Sequence, residues 1–428
     1  MLKKVIIFAI LSAILFSSFS FFISAFSLDK SESSVEGYYL YDLNHNTLMA
    51  SENCDKSIAP SSTTKIMAAC IVLESGIALN TPITITKNMI KNVSGRSMLL
   101  IEGNVLTIED LLYAMICGGY NDATHILALS VADSLSDFVN KMNEKAVELG
   151  MNNTHYLNPT GIEQSGMYTT IDDIAKLVKY MVNNELFVNI CSTKSYKLSD
   201  SAVCDYVNIS NRSSLLSEYK GLSSFNVGSS DSGDCAVVMY KTSELQLISI
   251  VMQAKSKSSS SKINYAEKHV KDLISHAIND YSTITLKTKN EVIISLPVKY
   301  SISSKNIDIF LQEDLKVFIS EEIDTQNDLT YSVYIKNDEL VAPLNSGDII
   351  GSLNVFCDGV LIASVPLMVN STIERNAFLF SMDMIKQFII SKVFLITILL
   401  FVISLILYKK SRNKKFKKKK CKTRKKPT

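Results

Sequence analysis

The stretch Ala59-Pro60-Ser61-Ser62-Thr63-Thr64-Lys65-Ile66-Met67 decides how this chain is read. Ser62 and Lys65 stand three apart at the opening of an apolar run, Ile66 to Leu73, that closes at Gly76. On a helix, residues three apart share a face, so a hydroxyl and an amine lie side by side. A cleft lined by that face would strip water from the lysine and lower its pKa. The neutral amine could then take the serine proton. This is the chemistry of acyl-enzyme hydrolases that use no histidine. A capping serine followed by a solvated lysine is the plainer reading, and the surrounding sequence has to decide between the two.

Both ends of the chain carry membrane signals. Lys3 and Lys4 precede an apolar run from Val5 to Ile23, and Ala25-Phe26-Ser27 follows as a small-x-small cleavage site. Residues 1–27 therefore read as a secretory signal peptide, with an uncleaved anchor as the alternative. Phe388 to Tyr408 is almost wholly apolar and long enough to span a bilayer. The tail 409–428 holds thirteen Lys or Arg and no acid, which places it in the cytoplasm, where lysines meet anionic lipid headgroups. The expectation is a single-pass cell-membrane protein whose ectodomain lies outside.

The formal charge of +2 hides a split. Without Lys3, Lys4 and the tail, 29 basic residues face 42 acidic ones, a balance that argues against a nucleic-acid partner. The chain has eight cysteines, and the seven outside the tail are scattered and odd in number, which is no disulfide framework. The five histidines show no metal-ligand spacing. Neither a metal nor a cofactor is expected.

Roughly 345 residues between the membrane segments allow two domains. In the first, 28–283, Tyr38 to Asp42 and Thr47 to Ala50 flank the turn Asn44-His45-Asn46 as a hairpin. Thr107-Ile108-Glu109-Asp110 and Thr170-Ile171-Asp172-Asp173 open helices as capping sequences. Phe138, Met142, Ala146 and Leu149 form a helical stripe ending at Gly150. Ala236 to Tyr240 and Leu245 to Met252 read as strands. They precede the serine-rich loop Ser256 to Ser261 and a helix with the stripe Val270, Leu273, Ile274 and Ala277. This order predicts an α+β domain: an antiparallel sheet flanked by helices, with a helical cluster inserted in the middle. Residues 284–372 read as strands only, a small β-sandwich with a turn at Asp358-Gly359. A linker helix over 373–387 then leads into the span at 388–408.

At this point the residues resemble a known family, the low-molecular-mass penicillin-binding proteins, or serine D-alanyl-D-alanine carboxypeptidases of peptidase family S11. The likeness runs from about Tyr39 to Ile373. It is carried by Asp42 to Ser51 ahead of Ser62 and Lys65, by Leu106 to Tyr113, by Met142 to His155, by Asn158-Pro159-Thr160-Gly161, by Pro343 to Gly351 and by Val365-Pro366-Leu367. The resemblance implies a transpeptidase/β-lactamase-like fold with three motifs meeting in one cleft. Ser62 would be the nucleophile and Lys65 the base.

The other two motifs depart from the family pattern. In the second, Ser-x-Asn, the chain reads Gly119-Tyr120-Asn121, so Asn121 remains and Gly119 replaces the relay serine. The third, Lys-Thr-Gly after Gly-Leu, falls on Ser223-Ser224-Phe225. Ser224 keeps a hydroxyl, Ser223 lacks the cation for the substrate carboxylate, and Phe225 sits where glycine admits substrate backbone. On this alignment, Gly119→Ser with Ser223→Lys and Phe225→Gly should restore activity.

The resemblance implies a carboxypeptidase acting on peptidoglycan pentapeptide stems, weakened by these replacements, with β-lactams as acylating inhibitors. The alternative is a catalytically inactive relative that binds stem peptide or a wall-synthesis partner.

Overall fold

The computed structural model describes residues 28–199, 202–257, 264–302, 306–337, 339–357 and 359–423, with side chains up to 410. The expected signal peptide, most of the serine-rich loop, Asp358 and the end of the basic tail lie outside them. The described chain divides into two units. The first ends at Thr283 and includes Phe318–Asp324, and the second comprises Ile284–Val317 and the chain from Thr325 onward.

In the first unit the predicted hairpin forms from β1 (Gly37–Asp42) and β2 (Thr47–Glu52), with Asn46 at φ 53° completing the turn. Three later strands, β3 (Leu222–Ser230), β4 (Gly233–Lys241) and β5 (Gln246–Ser256), complete an antiparallel sheet in the order β2-β1-β5-β4-β3. Strand alternation splits the apolar residues between two cores. Tyr38, Leu40, Val238 and Leu247 pack on the side of helix Tyr265–Asn279, whose predicted stripe is buried there. Tyr39, Tyr41, Val237 and Ile248 face the helices inserted between β2 and β3.

Local chemistry sets the ends of those inserted helices. Thr107 accepts from the Asp110 N–H and Asp110 reaches back to Thr107, a complete capping box opening the helix Ile108–Ile116. Thr170 accepts from Asp173 N to start the helix Ile171–Met181. The helix Leu135–Glu148 stops before Gly150, whose φ of +71° favours glycine. We label Thr64–Glu74 α1, Asn121–Val131 α2 and Glu185–Ser192 α3.

The second unit is β-rich. A six-stranded sheet includes Leu329–Ile335, Ile349–Cys357 and Val360–Val369 as consecutive antiparallel neighbours. After it, Ala377–Ile390 is helical, and a second helix begins at Lys392. Ser391 between them is extended (ψ 145°). Among the described residues, the helix long and apolar enough to cross a membrane is Lys392–Lys410, where the apolar run alone suggested Phe388 as the start.

Candidate active site

The nucleophile segment is unusually constrained. Ser61–Thr63 form a 3-10 turn that runs into α1, with Ser61 at φ 48°, in the left-handed region that non-glycine residues avoid. The Asn158–Gly161 loop packs against it. Asn158 Oδ1 accepts from the N–H groups of Thr160 (3.2 Å) and Gly161 (2.8 Å). A Cβ on Gly161 would overlap the Ser61 carbonyl, so only glycine permits this approach.

Ser62 is half-buried and Lys65 is 3% exposed, both on the opening turns as the spacing predicts. Burial, opposed by Cys235 and helped by the nearby Arg212 charge, pushes the Lys65 ammonium down to about 7. Lys65 Nζ donates to Thr160 O at 2.6 Å. Ser62 Oγ donates to Asn226 Oδ1 at 3.1 Å and lies 3.3 Å from Cys235 Sγ, while Asn226 Nδ2 donates back to Ser62 O at 2.9 Å. Among the described residues, no hydrogen bond joins Ser62 to Lys65 in this state.

Asn121 begins α2 and is buried. Its Nδ2 donates to Ser94 O at 2.8 Å, and its N–H donates to Arg96 O, so it pins the Ser94–Arg96 segment. Gly119 has φ +71°, and a Cβ there would stand 3.2 Å from Arg212 Cδ and Nη1. A serine at this position would be strained in backbone and crowded in side chain. The Tyr120 ring turns toward Arg96, whose guanidinium carbon lies 4.9 Å above it.

The third motif is where sequence alignment and geometry part. Ser223 Oγ pairs with Ser192 Oγ of α3 at 2.7 Å. Phe225 is fully buried edge-on against Phe187 (4.9 Å), deep in the core. Neither reaches Ser62, and Ser224, also buried, makes no hydrogen bond with it. A β-bulge explains the offset: Ser224 pairs with Val238 but Asn226 pairs with Val237, leaving Phe225 as the extra residue. Past the bulge, Asn226 faces the helical side as Phe225 does, and it meets Ser62. Gly228 follows two residues on, and a Cβ there would overlap Ser62 Oγ. The triplet at the nucleophile is thus Asn226-Val227-Gly228, which ends in a glycine and lacks a cation. Asn226, Gly228, Cys235 and Arg212 were not singled out as site residues from sequence, and Thr160 entered only as part of Asn158-Pro159-Thr160-Gly161. The one available clue was Gly228, the first glycine after Phe225.

Comparison with known proteins gives the family and the fold. The family described as D-alanyl-D-alanine carboxypeptidase, Peptidase S11, matches residues 25–256, and the penicillin-binding protein 5 C-terminal domain matches 281–375. The D-alanyl-D-alanine carboxypeptidase DacF of Bacillus subtilis is 25% identical over 337 residues, covering 78% of this chain and 84% of its own. DacA of Escherichia coli is 24% identical over 365 residues, covering 82% and 87%. The crystal structure of penicillin-binding protein 5 from Haemophilus influenzae aligns with a TM-score of 0.58 at 22% identity, covering 82% of this chain and all of that one.

Proposed function

This chain belongs to the D-alanyl-D-alanine carboxypeptidase family, Peptidase S11, and we propose that it is a membrane-anchored member that forms an acyl-enzyme through Ser62 with weakened turnover. The observation that carries the reading is the buried Lys65, its pKa near 7, one helical turn from a serine that a sheet strand closely approaches. With that pKa a substantial share of the lysine is neutral near pH 7, as a general base requires.

Ser62 Oγ attacks the penultimate D-Ala carbonyl of a peptidoglycan stem and passes its proton to Lys65. The terminal D-Ala leaves with a proton returned from the cleft, and water then hydrolyses the ester. The Ser62 N–H and an N–H of β3 where it passes Ser62 would hold the oxyanion. Turnover is weakened because Gly119 offers no relay hydroxyl and Asn226 offers no charge.

The test is covalent. Incubation with a penicillin should add one equivalent of ligand mass, and fragmentation should map it to the peptide containing Ser62. D-Ala release from a D-Ala-D-Ala peptide should be slow but measurable. An adduct elsewhere overturns the assignment, and no adduct at all favours a silent peptide-binding relative.

Anchoring rests on the apolar helix Lys392–Lys410 and the lysine-rich sequence after it. Protease added to intact protoplasts should digest the ectodomain and leave the anchor with its tail. An ectodomain that survives intact would place it on the cytoplasmic side.

A further inference from the structure

Ser62 and Lys65 are each engaged elsewhere, in different ways. Lys65 Nζ donates to a backbone oxygen, Thr160 O, at 2.6 Å. Ser62 is held by one side chain at two points. Its Oγ donates to Asn226 Oδ1 at 3.1 Å, and Asn226 Nδ2 donates to Ser62 O at 2.9 Å. The second bond fixes the two residues against each other. The first commits the serine proton to an amide oxygen, which accepts a hydrogen bond but is far too weak a base to take the proton.

The surroundings make this a built contact. Asn226 is 5% exposed, and the bulge at Phe225 is what brings it to Ser62. Cys235 Sγ lies 3.3 Å from Ser62 Oγ and donates to Asn226 Oδ1 at 3.4 Å. The amide oxygen therefore keeps a donor when the serine hydroxyl turns away. Release leaves no buried acceptor empty, so the contact is reversible. A lysine at position 226 could not form it, because an ammonium has three donors and no acceptor, whereas an amide offers both. The replacement of the third motif's lysine thus adds a contact as well as removing a charge.

We propose that Asn226 is a positioning residue that restrains the Ser62 hydroxyl in the resting site, so that acylation waits on its release. This rests on the acyl-enzyme reading above and names what gates its first step. The restraint acts on the serine proton. It does not act on the charge of Lys65, which is set by burial, Cys235 and Arg212.

The test is the rate of penicillin acylation of the full-length chain in detergent, followed by adduct mass over a range of penicillin concentrations and pH. Asn226→Ala should raise the limiting rate about 3–10-fold, the worth of one released hydrogen bond. The concentration that gives half the limiting rate should not change. The rise of rate with pH should keep its midpoint at about 7, because Lys65 is untouched. Asn226→Asp sets a charged acceptor against the hydroxyl, a stronger bond, and should lower the limiting rate.

A residue that only supports the turn through its bond to Ser62 O would slow acylation in both variants, and that result overturns the proposal. So does an unchanged limiting rate in Asn226→Ala, or a change confined to the half-limiting concentration, which would make Asn226 a ligand contact. Crystal structures of the two proteins separate this from the wider reading. If neither the unaltered protein nor Asn226→Ala takes up penicillin, the acyl-enzyme falls. The restraint then stands if Ser62 Oγ bonds Asn226 in the unaltered protein and Lys65 in Asn226→Ala, and any other arrangement removes it. An adduct that forms in Asn226→Ala alone supports both.

Discussion

Lys65→Ala should slow penicillin acylation by about 10²–10⁴-fold, and Ser62→Ala should abolish it. The two effects have different origins. Ser62 carries the bond-forming oxygen, so nothing substitutes for it. Lys65 supplies only the proton acceptor, and residual reaction persists through water and the backbone donors. In this structure Lys65 Nζ bonds Thr160 O and Ser62 Oγ bonds Asn226, so the serine hydroxyl has to turn from Asn226 toward the amine before its proton can pass. The pH profile separates the base from a mere packing role. With a pKa near 7, Lys65 is protonated below that value and neutral above it, so the acylation rate should rise as pH increases through about 7 and then level off.

The same depressed pKa has a stability consequence of opposite character. Below about pH 7, folding buries a charged ammonium. Between about 7 and the unfolded lysine value near 10.5, the unfolded chain binds more protons than the folded one, so stability rises with pH across that window. Lys65→Met should therefore raise the melting temperature at pH 6 while abolishing the pH-dependent limb of acylation. A Lys65→Ala protein that acylates at the unaltered rate would remove Lys65 from the chemistry.

How much of this was legible depended on whether the signal was local. Capping sequences at Thr107 and Thr170, the hairpin at Asn44-His45-Asn46 and the stripe Val270, Leu273, Ile274 and Ala277 each act within a few residues, and each appears where the sequence puts it. The Ser62–Lys65 spacing is likewise a property of one helix. The structure sets Ser223-Ser224-Phe225 away from Ser62, and the reason is a bulge, which is a property of two strands. Ser224 and Asn226 pair with adjacent residues of β4, and nothing within Ser223-Ser224-Phe225 announces the residue left over. Arg212 was invisible for a related reason. It comes against Gly119 only through the fold. Restoring lysine at position 223 would accordingly put a charge beside Ser192, away from the nucleophile.

Gly228→Ala should reduce acylation by about 10²-fold or more while changing stability only modestly. No side chain fits between β3 and Ser62 as they stand, because a Cβ at this position overlaps Ser62 Oγ and lies 2.9 Å from its Cβ and 3.3 Å from Cys235 Sγ. Either the serine rotates off its line of attack or the strand moves outward and carries the oxyanion donors with it. A displacement of about 1 Å in reacting geometry is enough for a 10²-fold loss. The backbone itself accepts alanine, since Gly228 is not among the residues with positive φ. The stability loss is then that of overpacking, about 1–3 kcal/mol. Val238→Ala provides the matching control. It removes volume from the opposite core, where the valine is fully buried, at about 1.5–3 kcal/mol. That variant should melt earlier by a comparable margin and still acylate at close to the unaltered rate. If Gly228→Ala and Val238→Ala lose activity together in proportion to stability, the approach of β3 to Ser62 has no catalytic part. If Gly228→Ala alone loses it, the glycine at the nucleophile is the surviving residue of the third motif, displaced along the strand by the bulge at Phe225.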